Sequence, residues 1–419
     1  MGAYLKTDHG LPEEGNRQGP TQKAAELKEW RTCIHDAIYD QVVSEPDAAA
    51  ICSEEGDLSY NELDQLASRL ARQLVSLGIG PEVIVPLCFD KSMWNVVSML
   101  GVLKAGAAFV PFDPMAPISR LKTLAQDVGA KIILCSQQHV GLLKSVAEKI
   151  VPIDGEVIRQ LPPFESAELS SVKSSNLAYL IYTSGTTGEP KATMIEHGSF
   201  CTGARAHGPA MLMSSESRVL QFAAHTFDAS LVEILTTLIV GGTICIPSED
   251  ARLNNIVGAI NDMHVNWAVL TPSFVNFIDP SQVPGLKTLV MAGEAMSQSH
   301  IKTWSSLNLV NGFGPSECSV AVAVNSHVSL TTEPTNIGSA VGAYLWVVDP
   351  DDHDRLVPQG SIGELLVEGP TLARGYHNNP EKTAESFIQP PPWALADTTG
   401  GRTWRLYKVC TPSFAFAWY

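Results

Sequence analysis

The sequence predicts an α/β fold in which mostly parallel sheets are flanked by helices. Short apolar segments typical of buried strands alternate along the chain with segments of helical periodicity. Residues 361–368, in the last third, resemble a half-buried antiparallel strand and predict a small added β unit. The chain has 419 residues, 45% of them hydrophobic. It can therefore bury a large core and divide into more than one domain or subdomain.

The first elements carry clear start and stop signals. Ser59 to Glu62 has the pattern of a capping box, apolar residues follow at helical spacing, and Gly78 ends the helix. A strand at 83–87, a helix at 93–105 and a strand at 108–111 then form a βαβ unit. The same rhythm continues through apolar segments at 131–135, 177–182, 240–247 and 288–292. This repetition predicts parallel strands joined by helices.

Composition excludes several classes of protein. The formal net charge is −16 and the lysines and arginines are scattered, so we expect no nucleic-acid partner. The eight cysteines lack the paired spacing of a zinc site or a disulfide module. No apolar run approaches the roughly 20 residues of a membrane span, and no signal peptide is recognisable at the amino terminus. We expect a soluble cytoplasmic protein with no membrane association.

A loop rich in glycine and hydroxyl groups follows the apolar strand at 177–182. It reads Thr-Ser-Gly-Thr-Thr-Gly-Glu-Pro-Lys and ends at Lys191. Its two glycines allow close backbone approach, its hydroxyls donate hydrogen bonds and Lys191 supplies a positive charge. It is not a Walker loop, because no Gly-Lys-Ser/Thr follows the glycines. A surface loop of the same composition is the alternative, but the strand directly before it favours polyphosphate binding.

Six sequence blocks stand in order along the chain: LSYNEL at 58–63, LKAGAAFVPFDP at 103–114, the loop at 183–191, FDAS at 227–230, NGFGPSE at 311–317, and GEL at 363–365 with LARGY at 372–376. Together they resemble the blocks of fungal nonribosomal peptide synthetase adenylation domains, in the adenylate-forming (AMP-binding) superfamily. Six ordered blocks are far more specific than any one of them. The resemblance implies the large amino-terminal subdomain of an adenylate-forming enzyme: two mostly parallel α/β sheets plus a small distorted β-barrel.

The resemblance also implies a ligase that uses ATP and Mg²⁺. The substrate carboxylate would attack the α-phosphorus of ATP, so the protein mainly positions groups and neutralises charge. Lys191 and Glu317 would be catalytic, with Glu317 as the Mg²⁺ ligand. Asn311 would bond the adenine edge and Phe313 would stack on its face. The nucleotide site would comprise Thr183, Ser184, Gly185, Thr186, Thr187, Gly188, Lys191, Gly293, Glu294, Asn311, Phe313, Gly314 and Ser316.

Asp228 would identify the substrate as an amino acid. Amino-acid-activating members of the family place an aspartate here to pair with the α-ammonium, and a buried carboxylate needs such a partner. The alternative is a helix cap, because a helix is predicted near Ser230 with Glu233 three residues on. The side-chain pocket would be formed by apolar residues and glycine, which favours a neutral, hydrophobic or aromatic amino acid: Ala229, Val232, Val269, Leu289, Met291, Gly312, Val320 and Ala321. Plain core packing is the alternative for these residues.

Three positions next to the motifs receive separate interpretations. His197 and His225 are interpreted as hydrogen-bonded structural residues, because the attacking carboxylate is already ionised near neutral pH and needs no base. Ala192 departs from the glycine usual in the family and would strain the loop if the position requires a positive φ angle.

The resemblance ends at Lys408, which gives three expected segments. We expect a disordered tail at 1–27, the adenylation subdomain at 28–408 and an aberrant tail at 409–419. The ribose-binding aspartate, the small carboxy-terminal subdomain and its catalytic lysine would be missing, through a retained intron or a truncated gene. Such a chain should bind ATP more weakly and adenylate poorly.

Three functions remain open from the sequence. The first is amino-acid adenylation in nonribosomal peptide or related secondary metabolism, and the second is a non-catalytic truncated paralogue that binds nucleotide only. The third, an aryl or acyl acid ligase on the same scaffold, is disfavoured by Asp228. Phosphopantetheine would be found only on a separate carrier domain, so thioester formation would need a peptidyl carrier protein in trans.

Overall fold

The structure is a computed structural model of the chain. It describes residues 3–5, 27–162, 172–184, 190–358, 361–395, 405–409 and 416–418. The predicted tail at 1–27 and the predicted tail at 409–419 therefore lie mostly outside the described residues. In the part of the chain that is described, no helix combines the length and the apolar character needed to cross a membrane.

Strands and helices alternate along most of the chain. In chain order the strands are β1 Ala3–Leu5, β2 Ala49–Ser53, β3 Leu58–Ser59, β4 Ile84–Cys88, β5 Ala108–Pro111, β6 Ile132–Cys135, β7 Lys149–Pro152, β8 Leu177–Ser184, β9 Pro190–Glu196, β10 Arg218–Leu220, β11 Thr243–Ile246, β12 Trp267–Leu270, β13 Thr288–Ala292, β14 Asn308–Phe313, β15 Ala323–Asn325, β16 Asn336–Ala340, β17 Tyr344–Asp349, β18 Asp352–Leu356, β19 Ile362–Glu368, β20 Gly375–Tyr376, β21 Phe387–Ile388, β22 Leu406–Lys408 and β23 Phe416–Trp418. The α-helices are α1 Ile34–Ser44, α2 Tyr60–Ser76, α3 Met93–Lys104, α4 Ile118–Asp127, α5 Val140–Leu143, α6 Gly155–Gln160, α7 His197–Ala210, α8 Ala229–Leu231, α9 Thr237–Val240, α10 Glu249–Asn254, α11 Ile256–Asp262, α12 Pro272–Val275, α13 Gln298–Trp304, α14 Pro380–Ser386 and α15 Pro392–Leu395.

The first sheet has the order β20-β9-β8-β5-β4-β6-β7. Strands β8, β5, β4, β6 and β7 are parallel, whereas β9 and β20 are antiparallel to their neighbours. Every residue of β4, β5 and β6 is buried, which agrees with their continuous apolar sequences and with cover on both faces. The βαβ unit predicted from the sequence is confirmed.

The predicted capping box at the start of α2 is confirmed. The Ser59 hydroxyl accepts a hydrogen bond from the Glu62 amide at 3.2 Å, and the Glu62 carboxylate accepts one from the Ser59 amide at 2.8 Å. Gly78 lies just past the helix with a φ of 78°, the left-handed conformation that favours glycine. The apolar face of α2 lies in the main core and packs against α3.

The second sheet contains the parallel strands β2, β11, β10, β12, β13 and β14, with β3 antiparallel at one edge. Strands β15 and β16 continue it in antiparallel orientation. One predicted boundary is wrong: 240–247 was predicted as strand, but Val240 ends α9 and the strand is Thr243–Ile246. Gly241, with a φ of 88°, separates the two elements, because a left-handed glycine ends a helix.

A small antiparallel unit follows in the last third of the chain. Strand β19 pairs with β17 and β22, and β17 also pairs with β18. Trp346, Val348 and Leu366 form part of its own apolar core. The predicted antiparallel strand at 361–368 is therefore confirmed, as is the wider fold of two mixed α/β sheets with a small β unit.

Candidate active site

The antiparallel strands β8 and β9 flank the glycine-rich loop in sequence. Thr183 on β8 faces Lys191 on β9 in the strand register. Gly185, Thr186, Thr187, Gly188 and Glu189 lie outside the described residues, as does the side chain of Ser184. Ala192 is in the extended strand β9 opposite Tyr182 and does not have a positive φ. The strain that a glycine-requiring conformation would cause is therefore absent at Ala192.

Tyr376 contacts both Lys191 and Glu317. The ammonium of Lys191 is 4.9 Å from the centre of the Tyr376 ring, a cation–π distance. Strand β20 carries Tyr376 to this position by pairing with β9. The Tyr376 hydroxyl donates to Oε1 of Glu317 at 2.8 Å. Burial, together with the charge of Glu317, raises the pKa of Tyr376 and keeps its hydroxyl a donor.

Glu317 is suited to Mg²⁺ by its chemistry. Its side chain is buried, and its carbonyl accepts a hydrogen bond from the amide of Ala373 at 2.7 Å, which fixes the backbone. Tyr376 bonds one carboxylate oxygen, so Oε2 is the oxygen that Glu317 has for a cation. Among the described residues Glu317 is not in a cluster of three metal-ligating side chains. A single carboxylate matches Mg²⁺, which commonly takes one or two carboxylates together with phosphate oxygens and water.

Asp228 points toward the same cluster and does not cap a helix. It directly precedes α8, yet its side chain makes no capping hydrogen bond. Its Oδ2 instead accepts a hydrogen bond from the hydroxyl of Ser316 at 2.6 Å. The helix-cap alternative is therefore not favoured. Burial raises the pKa of Asp228 to about 6, against the lowering effect of Ser316, and the nearby charge of Glu317 adds to the rise. Such a carboxylate is incomplete without a cationic partner.

The predicted adenine-side residues lie at the carboxyl ends of β13 and β14, which pair directly. Asn311 is buried and its amide nitrogen donates to the carbonyl of Asn336 at 2.9 Å. Phe313 is half-buried at the end of β14. Gly293 is exposed with a φ of 81°, and the exposed Glu294 accepts a hydrogen bond from the amide of Ser273 at 2.9 Å. Because β13 and β14 are parallel, these residues lie together at the carboxyl end of the second sheet.

Gly314 has a strict steric reason to be glycine. A Cβ at this position would lie 2.2 Å from the carbonyl oxygen of Val320 and 2.6 Å from Cα of Ala321. These contacts are with backbone, which cannot move aside cheaply. Gly314 therefore lets the chain after β14 pass tightly over the segment that carries Val320 and Ala321.

The apolar pocket residues divide between the two faces of the second sheet. Val232, Val269, Val320 and Ala321 share one cluster, which also contains Val290 and Ala292. A Cβ on Gly312 would lie 3.4 Å from Val290 and 3.7 Å from Ala292, so Gly312 faces the same side. Ala229 lies beside Asp228 at the start of α8. We call the face formed by Val232, Val269, Val290, Ala292, Gly312, Val320 and Ala321 the apolar pocket face.

Leu289 and Met291 are not on the apolar pocket face, which corrects the prediction for these two residues. Both pack in a different cluster with Ala268 and Leu270, on the opposite side of the sheet. Val269 on β12 is in register with Val290 on β13. A shift of one residue along a strand turns every side chain to the other face. The apolar run of β13 hides this parity, so the sequence alone missed Val290 and Ala292.

The two histidines near the motifs are structural. Nδ1 of His197 accepts a hydrogen bond from the amide of Ile34 at 3.2 Å, and its side chain is fully buried. Burial lowers the pKa of His197 to about 3. Burial also lowers the pKa of His225. Both imidazoles are therefore neutral near pH 7, in agreement with their interpretation as structural residues.

Comparisons with known sequences agree on one family. A family model described as "AMP-binding enzyme" matches residues 38–377. Nonribosomal peptide synthetase 1 of Aspergillus fumigatus is 55% identical over 91% of this chain and 6% of its own length. Nonribosomal peptide synthetase 4 of Gibberella zeae is 50% identical over 91% of the chain and 5% of its own length. N-benzoylphenylalaninol synthetase apmA of Penicillium brevicompactum is 49% identical over 90% of the chain and 16% of its own length. The chain thus spans a small part of each relative.

Comparisons with solved structures agree on the fold. The nonribosomal peptide synthetase FmoA3 (S1046A), bound to alpha-methyl-L-serine-AMP, has a TM-score of 0.80 at 23% identity, over 92% of this chain and 44% of that chain. PA1221, a nonribosomal peptide synthetase protein with adenylation and PCP domains, has a TM-score of 0.78 at 24% identity, over 90% of this chain and 65% of that chain.

Proposed function

The chain belongs to the AMP-binding enzyme family, and from that premise we propose that it activates an amino acid as an aminoacyl-adenylate. The amino acid is neutral and hydrophobic or aromatic. The reaction serves nonribosomal peptide or related secondary-metabolite biosynthesis, with residues 28–408 acting as the large adenylation subdomain. The similarity to fungal peptide synthetases and to FmoA3, which is bound to alpha-methyl-L-serine-AMP, supports this proposal.

The position of Asp228 carries the proposal. Its carboxylate accepts a hydrogen bond from Ser316 and lies close enough to Glu317 for that charge to raise its pKa. Neither neighbour is a cation, and the apolar pocket face begins next to it at Val232. An α-ammonium group at this point would supply the missing positive charge, and the apolar face would take the side chain. An acyl substrate without an amino group would leave Asp228 unpaired.

The remaining polar residues serve the reaction at the phosphate end. The substrate carboxylate attacks the α-phosphorus of ATP, a new C–O–P linkage forms, and pyrophosphate leaves. Lys191 neutralises phosphate charge from β9, where Tyr376 holds its ammonium in place. Glu317, fixed by Tyr376, is the residue that would hold Mg²⁺, which would offset charge on the phosphates. The 2.6 Å bond from Ser316 to Asp228 joins this end to the ammonium end.

A carrier protein is the proposed partner. By its resemblance to the peptide synthetases, the chain would pass the activated acyl group to the thiol of a phosphopantetheine arm on a peptidyl carrier domain. PA1221, which contains adenylation and PCP domains, supports this arrangement.

Exchange of labelled pyrophosphate into ATP across a panel of amino acids tests the function. We expect exchange that depends on a neutral hydrophobic or aromatic amino acid, and no exchange with the corresponding acid that lacks the amino group. Exchange driven equally by the deamino acid would favour an acyl or aryl acid ligase. Nucleotide binding without exchange for any amino acid would contradict the proposal and favour a nucleotide-binding role.

A further inference from the structure

The segment 221–228 connects β10 to α8 and ends at Asp228. It forms no strand or helix of its own. Loop peptides are held in one position only when their N–H and C=O groups have fixed partners. Three side chains supply those partners around Ala223: Gln221 and Glu233, which are buried, and Lys91, which is half-buried.

Glu233 accepts hydrogen bonds from the backbone of this segment. Its side chain is fully buried within the π-helical residues Val232–Thr236. Its carboxylate accepts hydrogen bonds from the amide of Phe222 at 3.1 Å and from the amide of Ala223 at 3.0 Å. The side-chain amide of Gln221 donates a third at 3.0 Å. A carboxylate that accepts two consecutive backbone amides fixes the orientation of both peptides.

Lys91 binds the next peptide unit of the segment, through the carbonyl of Ala223. Its ammonium donates a hydrogen bond to the carbonyl of Ala223, and Gln221 donates to that carbonyl at 3.1 Å. Lys91 comes from the connection between β4 and α3, which belongs to the other sheet. Ala223 thus has its N–H bound by a buried glutamate and its C=O bound by a half-buried lysine. We call Lys91, Gln221 and Glu233 the Ala223 clamp.

The two charges of the clamp depend on each other. Burial raises the pKa of Glu233 and lowers the pKa of Lys91, and in each case the charge of the other residue opposes the effect. Buried charges are costly, and removing one of a pair leaves the other uncompensated. Neutral side chains could make the same hydrogen bonds to Ala223 at a lower desolvation cost. Hydrogen bonding to the backbone alone therefore does not account for two charged residues here.

The clamp also reaches the apolar pocket face. Glu233 follows Val232, which lies on that face, and both are in the π-helical turn. Single π-helical turns are often found at functional sites. The clamp therefore ties together the loop that carries the ammonium-binding carboxylate and the turn that carries one wall of the side-chain pocket.

We infer that the Ala223 clamp is a positioning device for amino-acid recognition, in which Lys91 and Glu233 hold segment 221–228 so that Asp228 meets the substrate ammonium. The inference rests on the proposed function. None of the three clamp residues touches the substrate. They act through the backbone between Ala223 and Asp228.

Two matched probes separate positioning from stability. The amino analogue is a sulfamoyladenosine carrying phenylalanine or another amino acid of the panel, and the deamino analogue is the same molecule without the α-amino group. We expect Glu233→Gln to lower the affinity for the amino analogue by about 10- to 100-fold, the range caused by misplacing a group by ~1 Å. The affinity for the deamino analogue should change by less than about 2-fold, because that analogue does not use Asp228.

Glu368→Gln is the matched control. Glu368 is also a buried glutamate, but it lies on β19 and accepts its hydrogen bond from the indole of Trp346 at 2.9 Å. We expect Glu368→Gln to leave the ratio of the two affinities unchanged, whether stability rises or falls. Lys91→Met should act like Glu233→Gln. The double variant should bind the amino analogue better than the sum of the single effects predicts, because it leaves no unpaired charge.

The outcomes distinguish this inference from the proposed function. A wild-type protein that binds both analogues equally contradicts the proposed function. A wild-type preference for the amino analogue that survives Glu233→Gln unchanged overturns the clamp alone. If Glu233→Gln does not fold, Gln221→Leu is the second variant, because it removes the bonds to Ala223 and Glu233 without removing a charge. It should lower the same ratio by a smaller factor, and an unchanged ratio there also refutes the clamp.

Discussion

Replacing Asp228 with asparagine should make the protein more stable and at the same time remove its recognition of the amino group. The substitution Asp228→Asn keeps the size of the side chain and an oxygen that can accept the Ser316 hydroxyl. It removes the negative charge and replaces the other carboxylate oxygen with an amide nitrogen. Stability and binding should therefore change in opposite directions, which a merely disruptive substitution would not cause.

The gain in stability follows from the pKa. Burial raises the pKa of Asp228 from 3.8 to about 6, which corresponds to at most roughly 3 kcal/mol of unfavourable free energy at pH 7. Above pH 6 the carboxylate is ionised in both the folded and the unfolded chain, so the folded chain bears the full cost. Between about pH 6 and pH 4 the folded chain is protonated first, and the cost disappears. The advantage of Asp228→Asn should thus be largest at pH 7 and close to zero at pH 4.

The loss in binding follows from the unpaired ammonium. Leaving one partner of a buried ion pair uncompensated costs about 3–5 kcal/mol, on the order of 100- to 4,000-fold in affinity. Urea unfolding at pH 7 and pH 4, with titration of the amino and deamino analogues, measures both effects. The exposed Asp262 at the end of α11 provides the control Asp262→Asn, which should change neither. A variant that is less stable than the wild type at pH 7, or that still prefers the amino analogue, would refute the reasoning.

Three further substitutions test the site. Gly314→Ala should destabilise the fold by roughly 2 kcal/mol or more, because the added Cβ overlaps backbone atoms. The control Gly80→Ala should not, because a Cβ there meets no atom within 4 Å. Urea unfolding compares the two variants, and equal losses of stability would contradict the steric argument. Val290→Phe should shift the amino-acid preference in pyrophosphate exchange toward smaller amino acids. Leu289→Phe, on the opposite face of the sheet, should lower stability without changing that preference. A changed preference in Leu289→Phe would show that Leu289 lines the pocket. Tyr376→Phe removes the hydrogen bond to a buried carboxylate and should cost roughly 1.5–3 kcal/mol of stability. An unchanged unfolding midpoint would show that this bond contributes nothing.

Local signals in the sequence predicted much of the fold. The capping box at Ser59 and the stop at Gly78 depend on residues a few positions apart, so their chemistry is readable from the sequence. The strand run before the glycine-rich loop and the antiparallel strand β19 carry periodic patterns. The error at 240–247 arose because apolar residues lie on both sides of Gly241 and Gly242, so hydrophobicity alone does not separate the end of α9 from β11, although the glycine pair marks the boundary.

The missed parts of the site depend on contacts between distant segments. The face that β13 turns to Val269 is set by its register with β12, which the sequence does not contain. The bond from Ser316 to Asp228 joins residues 88 positions apart. The Ala223 clamp likewise needs Lys91 from the first sheet and Glu233 from a helix beside the second. Lys91 and Glu233 each resemble ordinary surface charges when judged from sequence alone.

The most direct measurement of amino-acid recognition is the ratio of the wild-type affinities for the amino and deamino analogues. The two probes differ by one ammonium group, whose proposed partner is the carboxylate of Asp228. We predict that the best amino analogue of the panel binds on the order of 100-fold more tightly than its deamino partner at pH 7. Equal affinities across the whole panel would contradict the assignment of an amino acid as the substrate.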